Sequence, residues 1–212
     1  MDALNEHFKN FGLKKEGIMK RLSQIIFFLI LSFLLILPST TFAQRDQVRA
    51  SLKASVMQRL GIDTDVTIEY SRPVVKGRKI WGELVPYGMA PGNQYSDNKP
   101  YPWRAGANEN TTIEFSKDVL IEGNKLPAGK YGIHMIPSEK DWIIIFSKNN
   151  SAWGSFSYNQ EEDALRVTVT PVEAPHKEWM MFGFDDLAGT SATAFLHWEK
   201  LRVPFKIELP KE

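Results

Sequence analysis

The chain has 212 residues, of which 43% are hydrophobic and none is cysteine, and its formal net charge is +1. That apolar content suits one domain with a substantial core and excludes an intrinsically disordered chain. The absence of cysteine excludes disulfides, thiolate catalysis, cysteine-bound metal and a lipidated cysteine, and the near-zero charge gives no reason to expect nucleic acid as a partner.

The first element is the run from Ile25 to Leu37, IIFFLILSFLLIL, preceded by Met19-Lys20-Arg21 and followed by Pro38-Ser39-Thr40-Thr41-Phe42-Ala43. A basic start, a short apolar run and small residues at Thr41 and Ala43 have the form of an export signal over residues 19–43, cleaved before Gln44. The run falls short of the roughly 20 apolar residues a spanning helix needs, so a retained anchor is the alternative and no membrane insertion is expected once the signal is removed. Residues 1–18 place Asp2, Glu6 and Glu16 ahead of the basic pair, which suits an upstream extension or a start at Met19. Five of the 26 basic and three of the 25 acidic residues precede Gln44, leaving 21 against 22 in the remaining domain. The expected location is periplasmic or secreted.

Residues 44–212 read as a single β domain. Asp46 to Leu60 fits a short helix, but Ala54 to Leu60 fits an entering strand as well, whereas Asp65 to Tyr70 alternates as a strand that Ser71-Arg72-Pro73 ends. The Gly- and Pro-rich stretch from Lys76 to Pro102 is too long for a tight connection and carries Trp81, Tyr87, Tyr95 and Tyr101. It reads as a packed excursion over a sheet or a ligand-facing loop. Eight strands are then predicted: Thr111 to Phe115, Val119 to Glu122, Lys130 to Pro137, Trp142 to Ser147, Leu165 to Thr170, Glu178 to Asp185, Ser191 to Glu199 and Leu201 to Leu209. Asn124 and Leu126-Pro127-Ala128-Gly129 supply a turn before Lys130. With no long amphipathic helix among them, these elements predict an all-β fold, an antiparallel β-sandwich or closely related barrel.

Tyr70-Ser71-Arg72-Pro73, then Lys76-Gly77-Arg78 and Ile80-Trp81-Gly82, resemble the opening signature of the bacterial domain-of-unknown-function family numbered twenty-nine eleven. Trp103-Arg104-Ala105-Gly106-Ala107-Asn108 with Thr111 and Phe115 resembles its second signature, and Leu126-Pro127-Ala128-Gly129-Lys130-Tyr131 with Ile136-Pro137 continues the likeness. The resemblance covers about Ser55 to Leu209 and implies an exported β domain common in Bacteroidetes. It transfers no catalytic set. Within that pattern Pro91 to Pro102 looks like an extension in front of Trp103, reshaping a pocket or lengthening a surface loop.

The candidate site gathers around these signatures. Arg72, Lys76, Arg78, Lys79 and Arg104 form a cationic set, and arginine holds carboxylate, sulfate or phosphate through paired hydrogen bonds. The structural alternative pairs them with Glu69, Glu83 and Glu109. Asn108 suits a sugar, peptide group or carboxylate, or else fastens its own loop. Glu109 reads as a base or cation ligand, against an exposed or paired glutamate. Tyr70, Trp81, Tyr87, Tyr95, Tyr101 and Trp103 form either an aromatic wall for a saccharide or peptide, or core and loop packing.

His134, in the strand KYGIHMIP, is a neutral acid or base, against a hydrogen-bonded buried histidine. His176 falls on an expected turn, PVEAPHKEW, and His197 on a strand. No HExxH, GxSxG or Gly-rich nucleotide-binding pattern is present, so no metal and no cofactor is expected. The expected binding set is Arg72, Arg78, Trp103, Arg104, Asn108, Glu109 and His134, for a small polar or anionic, saccharide-like ligand. The alternatives are a structural or protein-interaction module with an envelope protein partner, and a hydrolase using His134 with an acidic partner.

Overall fold

The computed structural model describes residues 48–211, so the extension at 1–18 and the signal at 19–43 lie outside the described residues. Ten strands form two sheets. They are β1 (Leu52–Leu60), β2 (Thr64–Arg72), β3 (Thr111–Phe115), β4 (Val119–Ile121), β5 (Asn124–Leu126), β6 (Gly129–Ile136), β7 (Trp142–Ser147), β8 (Asp163–Val169), β9 (Val172–Asp185) and β10 (Ser191–Glu208). One sheet runs β1-β2-β3-β6-β7-β8 and the other β5-β4-β10-β9, and every ladder between these strands is antiparallel.

The sheets pack as a sandwich because their strands alternate. In β2, Val66, Ile68 and Tyr70 turn inward, and in β10, Ala194, Leu196, Trp198, Val203, Phe205 and Ile207 do the same. Tyr70 meets Phe182 across the interface at 5.0 Å between ring centroids, and Phe146 meets Phe205 at 6.0 Å. The central strand β6 is covered on both faces. Tyr131, Ile133 and Met135 enter the core, while Gly132 and His134 lie beneath the connection between β7 and β8, which brings Asn149 and Ser155 over them.

One alternative is decided and three expectations are corrected at the level of elements. Ala54 to Leu60 takes the strand alternative, as part of β1, because all nine residues of β1 pair with β2. The turn near Asn124 sits one step earlier, at Glu122-Gly123, where φ values of 48° and 77° make a two-residue hairpin turn that opposes Ile121 to Asn124. His176 lies in β9 rather than a turn; β9 is a sheet edge, where Pro175 is tolerated because its missing N–H breaks no ladder. Ser191 to Glu199 and Leu201 to Leu209 are one strand, β10, whose register shifts on either side of Glu199 absorb the bend, with Glu199 at φ 54°.

The excursion after β2 is packed, with Ile80, Trp81 and Val85 buried. Trp81 joins Trp142 at 4.9 Å and Trp198 at 5.8 Å, so an irregular segment supplies one wall of the core. Trp142, 1% exposed, is fully buried in this packing against Trp81 and Trp103. Trp142→Ala is expected to cost about 3–5 kcal/mol in chemical denaturation, and a loss below about 1 kcal/mol would contradict its place in the core.

Candidate functional site

Trp103 and Met135 exchange two backbone hydrogen bonds, Trp103 N to Met135 O at 2.9 Å and Met135 N to Trp103 O at 2.7 Å. Trp103 therefore takes the place beside β6 that β3 occupies from Thr111, which stands opposite Ile133. The partner strand recedes only from Met135 to Ile133 while this chain runs from Trp103 to Thr111, so residues 104–110 are thrown out as a loop. Ala105 (φ 50°) and Asn108 (φ 61°) turn it through left-handed backbone. Thr111 Oγ1 closes it by donating to Ala105 O at 2.9 Å, Arg104 Nη1 donates to Asn108 O at 2.5 Å, and Asn108 Nδ2 donates to Ser51 O at 3.2 Å. Gly106 is required by space, since a Cβ there would stand 2.7 Å from Thr111 Oγ1 and 3.1 Å from Ser71 O.

Residues opposite one another in an antiparallel pair share a face, so Trp103 takes the core face with Met135. Its indole stacks on Trp198 at 6.1 Å and 17°, and meets Trp81 edge-on at 5.8 Å. Arg104 goes to the opposite face, beside His134. Its guanidinium lies 4.8 Å from the Phe156 ring centroid, and Gly154 leaves room that a side chain would fill. Burial holds Arg104 below the ordinary arginine pKa, and it pairs with no carboxylate among the described residues. His134 is 2% exposed, with Nδ1 2.7 Å from the Oγ of Ser155, itself 1% exposed. Burial, and secondarily the charge on Arg104, lower the His134 pKa to about 4.

Two adjoining cavities flank Trp103. The first, about 430 Å³, has Trp103 and Trp198 with Val74, Leu84 and Val85 as apolar lining, and among the described residues Lys76 and Arg78 are its charged lining. Arg78 is braced there, donating through Nε to Val75 O at 3.1 Å and through Nη2 to Val74 O. The second, about 550 Å³, is lined by Arg104, Tyr101, Asn93, Pro91 and Glu83, and shares Leu84 and Trp103 with the first. A smaller cavity of about 170 Å³ contains Lys53, Glu69, Glu109 and Lys130. Its charges are matched: Lys130 meets Glu69 at 2.8 Å, and Glu109 meets Arg49 at 2.5 Å. The Glu109 carboxyl is held low first by its own backbone N–H and then by Arg49.

The seven expected site residues thus divide. Arg78 and Trp103 line the first cavity, Trp103 and Arg104 the second, and Glu109 the small third one. Arg72, Asn108 and His134 line none of these three: Arg72 Nε donates to Met180 O at 2.8 Å, and Asn108 fastens the loop. Arg72 and Arg104 hold different partners and share no cavity. Of the wider cationic set, Lys79 pairs with Glu83 at 3.2 Å. Sequence reasoning missed Trp198, Ser155 and Phe156. Alternation in β10 marks Trp198 as inward-facing, but no local pattern announces its contact with Trp103. No group of three or more His, Asp or Glu side chains among the described residues is arranged to hold a metal.

Residues 51–207 match the family described as Protein of unknown function (DUF2911). The chain belongs to that family. No curated protein and no solved structure matches it. The DUF2911 match begins at Ser51, on the rim of the first cavity, and runs to Ile207 in β10, so it takes in the loop and both cavities beside Trp103 apart from Ala50.

The His134 environment gives this DUF2911 domain a defined pH response. An unfolded imidazole titrates near 6.5 and the folded one near 4, so between those values the unfolded chain binds a proton that the folded chain refuses. The stability contributed is present in full above about pH 6.5 and falls as pH drops toward 4, by about 3 kcal/mol. Thermal melts from pH 7 to 4.5 of the wild type and His134→Gln check this: the wild type loses stability more steeply, and parallel curves would refute it.

Proposed function

We propose that this domain is an exported binding module for a small anionic ligand with a ring-shaped, saccharide-like body, held in the first cavity. One observation carries the reading: the partly exposed Trp103, backed by the buried Trp198, meets a rim whose charged lining residues, among those described, are Lys76 and Arg78. An indole suits the apolar face of a ring, and a braced guanidinium beside it suits a carboxylate. The volume of about 430 Å³ lies in the range of small-molecule sites.

A hydrolase reading has the Ser155 to His134 hydrogen bond in its favour. Both groups are buried and line none of the three cavities, so binding is favoured over catalysis. The reading as an envelope interaction module draws on exposed aromatic residues, Tyr95 at 70% and Trp153 at 58%. No helix among the described residues is long and apolar enough to cross a membrane.

Export predicts that the protein recovered from the periplasm or medium begins at Gln44 on N-terminal sequencing; recovery only of cytoplasmic chain with Met1 or Met19 intact would oppose it. For the ligand, D-galacturonate is expected to quench tryptophan fluorescence saturably while neutral D-galactose does so at least tenfold more weakly. Lys76→Ala with Arg78→Ala is expected to lower galacturonate affinity by tenfold or more, the size of a lost charge-assisted contact. Equal responses to both sugars, or an unchanged affinity in the double variant, would sink the anionic-ligand reading.

A further inference from the structure

The geometry points to an oligomeric ligand: the two cavities flanking Trp103 are consecutive subsites for an acidic oligosaccharide, with Arg104 as the anchor of the second. This deepens the binding reading above and rests on it.

Continuity is the first support. Leu84 and Trp103 line both cavities, so a ligand leaving the first over Leu84, which is 45% exposed, enters the second without crossing a separate wall. Composition is the second. Arg104 lines the second cavity, is half-buried against Phe156, and spends Nη1 on a backbone carbonyl rather than on a carboxylate. A guanidinium has five N–H donors, and a partly desolvated one gains most from an anion that offers paired oxygens. The acidic residue of this cavity, Glu83, is engaged by Lys79 at 3.2 Å.

The extension from Pro91 to Pro102 builds the outer wall of the second cavity. Ala90 and Tyr101 pair through Ala90 N to Tyr101 O at 2.8 Å and Tyr101 N to Ala90 O at 3.1 Å, closing the extension into a loop of fixed base. Within it, Asn93 Nδ2 donates to the Tyr101 hydroxyl at 2.8 Å, which leaves the Tyr101 proton to donate to a ligand. A guanidinium beside the shared indole recurs at this second position, joined there by a phenol and an amide. An acidic saccharide with a carboxylate on each ring meets a cation at each stop.

A length series tests this on the full chain as exported. Calorimetric titration with galacturonate, and with its di-, tri- and tetramer linked α-1,4, is expected to show affinity rising at least tenfold from monomer to trimer and little beyond, because linked subsites add through effective concentration. Arg104→Gln, checked for an unchanged melting transition, is expected to lower trimer affinity at least tenfold, so that trimer and monomer bind this variant about equally. If the monomer binds and the trimer binds no more tightly, the second subsite is overturned and the single-site reading stands. If neither binds, both readings fall. A folded Arg104→Gln protein that keeps full trimer affinity overturns the role of Arg104, and should that variant not fold, the wild-type series decides. Tighter binding of hexaglutamate than of the trimer would overturn the saccharide assignment in favour of an acidic peptide.

Discussion

Because Trp103 and Met135 exchange two backbone hydrogen bonds, the period of two along a strand decides where the neighbouring side chains go. Trp103 must follow Met135 into the core, and Arg104 must follow His134 to the other face. One registration thus accounts for the stack of Trp103 on Trp198 and for the influence of Arg104 on the buried imidazole. It also forces the loop. β3 resumes its ladder only at Thr111, and residues 104–110 must leave the sheet and return, which they do through Ala105 and Asn108 in left-handed conformation and a glycine with no space for a Cβ.

The tryptophan cluster that this registration completes is costly in one respect. Trp81 and Trp198 bury their indole N–H groups with no acceptor among the described residues, and an unsatisfied buried donor costs about 1–3 kcal/mol. Edge-on and stacked contacts among Trp81, Trp103, Trp142 and Trp198 work against that cost, each aromatic pair contributing about 0.5–1.5 kcal/mol beyond its burial. The net effect is a packed indole cluster in which Trp81, Trp142 and Trp198 are buried and the partly exposed Trp103 is held in place, so little ordering of that side chain remains to be done on binding.

Most of the strands were legible because a half-buried sheet imposes alternation on its own residues. Thr111 to Phe115 and Trp142 to Ser147 coincide with β3 and β7. The failures have a common cause in pairing at a distance. Pro175 hides the first half of β9 because a local reading cannot know that this strand is an edge, and Glu199 splits β10 on paper because the bulge that carries the ladder across it is made with β9. At the site, the stretch Trp103 to Asn108 carries an indole, a guanidinium and an amide close together in sequence. Local sequence did not disclose that Met135 would sort Trp103 and Arg104 onto opposite faces, nor that Ser155 and Phe156, from the connection between β7 and β8, would cover Arg104 and His134.

Charge distribution then separates the small third cavity from the two beside Trp103. Around Glu69 the lysines at 53 and 130 are matched to a carboxylate, and Arg49 is matched to Glu109; such groups have a partner and gain little by exchanging it. Near Lys76 and Arg78 the acidic neighbour is Glu178, whose Oε1 accepts the backbone N–H of Lys76 and whose Oε2 meets His176. That carboxylate is held chiefly by the Lys76 backbone, it is absent from the lining of the first cavity, and the Lys76 ammonium makes no ion pair among the described residues. Arg78 spends two donors on the carbonyls of Val74 and Val75, which orients its plane without neutralising its charge. A cation oriented by neutral acceptors at the edge of an indole floor keeps its electrostatic attraction for an incoming anion. The same logic holds across Trp103, where Arg104 is positioned by a carbonyl and a phenyl ring, so the two larger cavities beside Trp103 carry cations without a carboxylate partner while the small third one is internally matched.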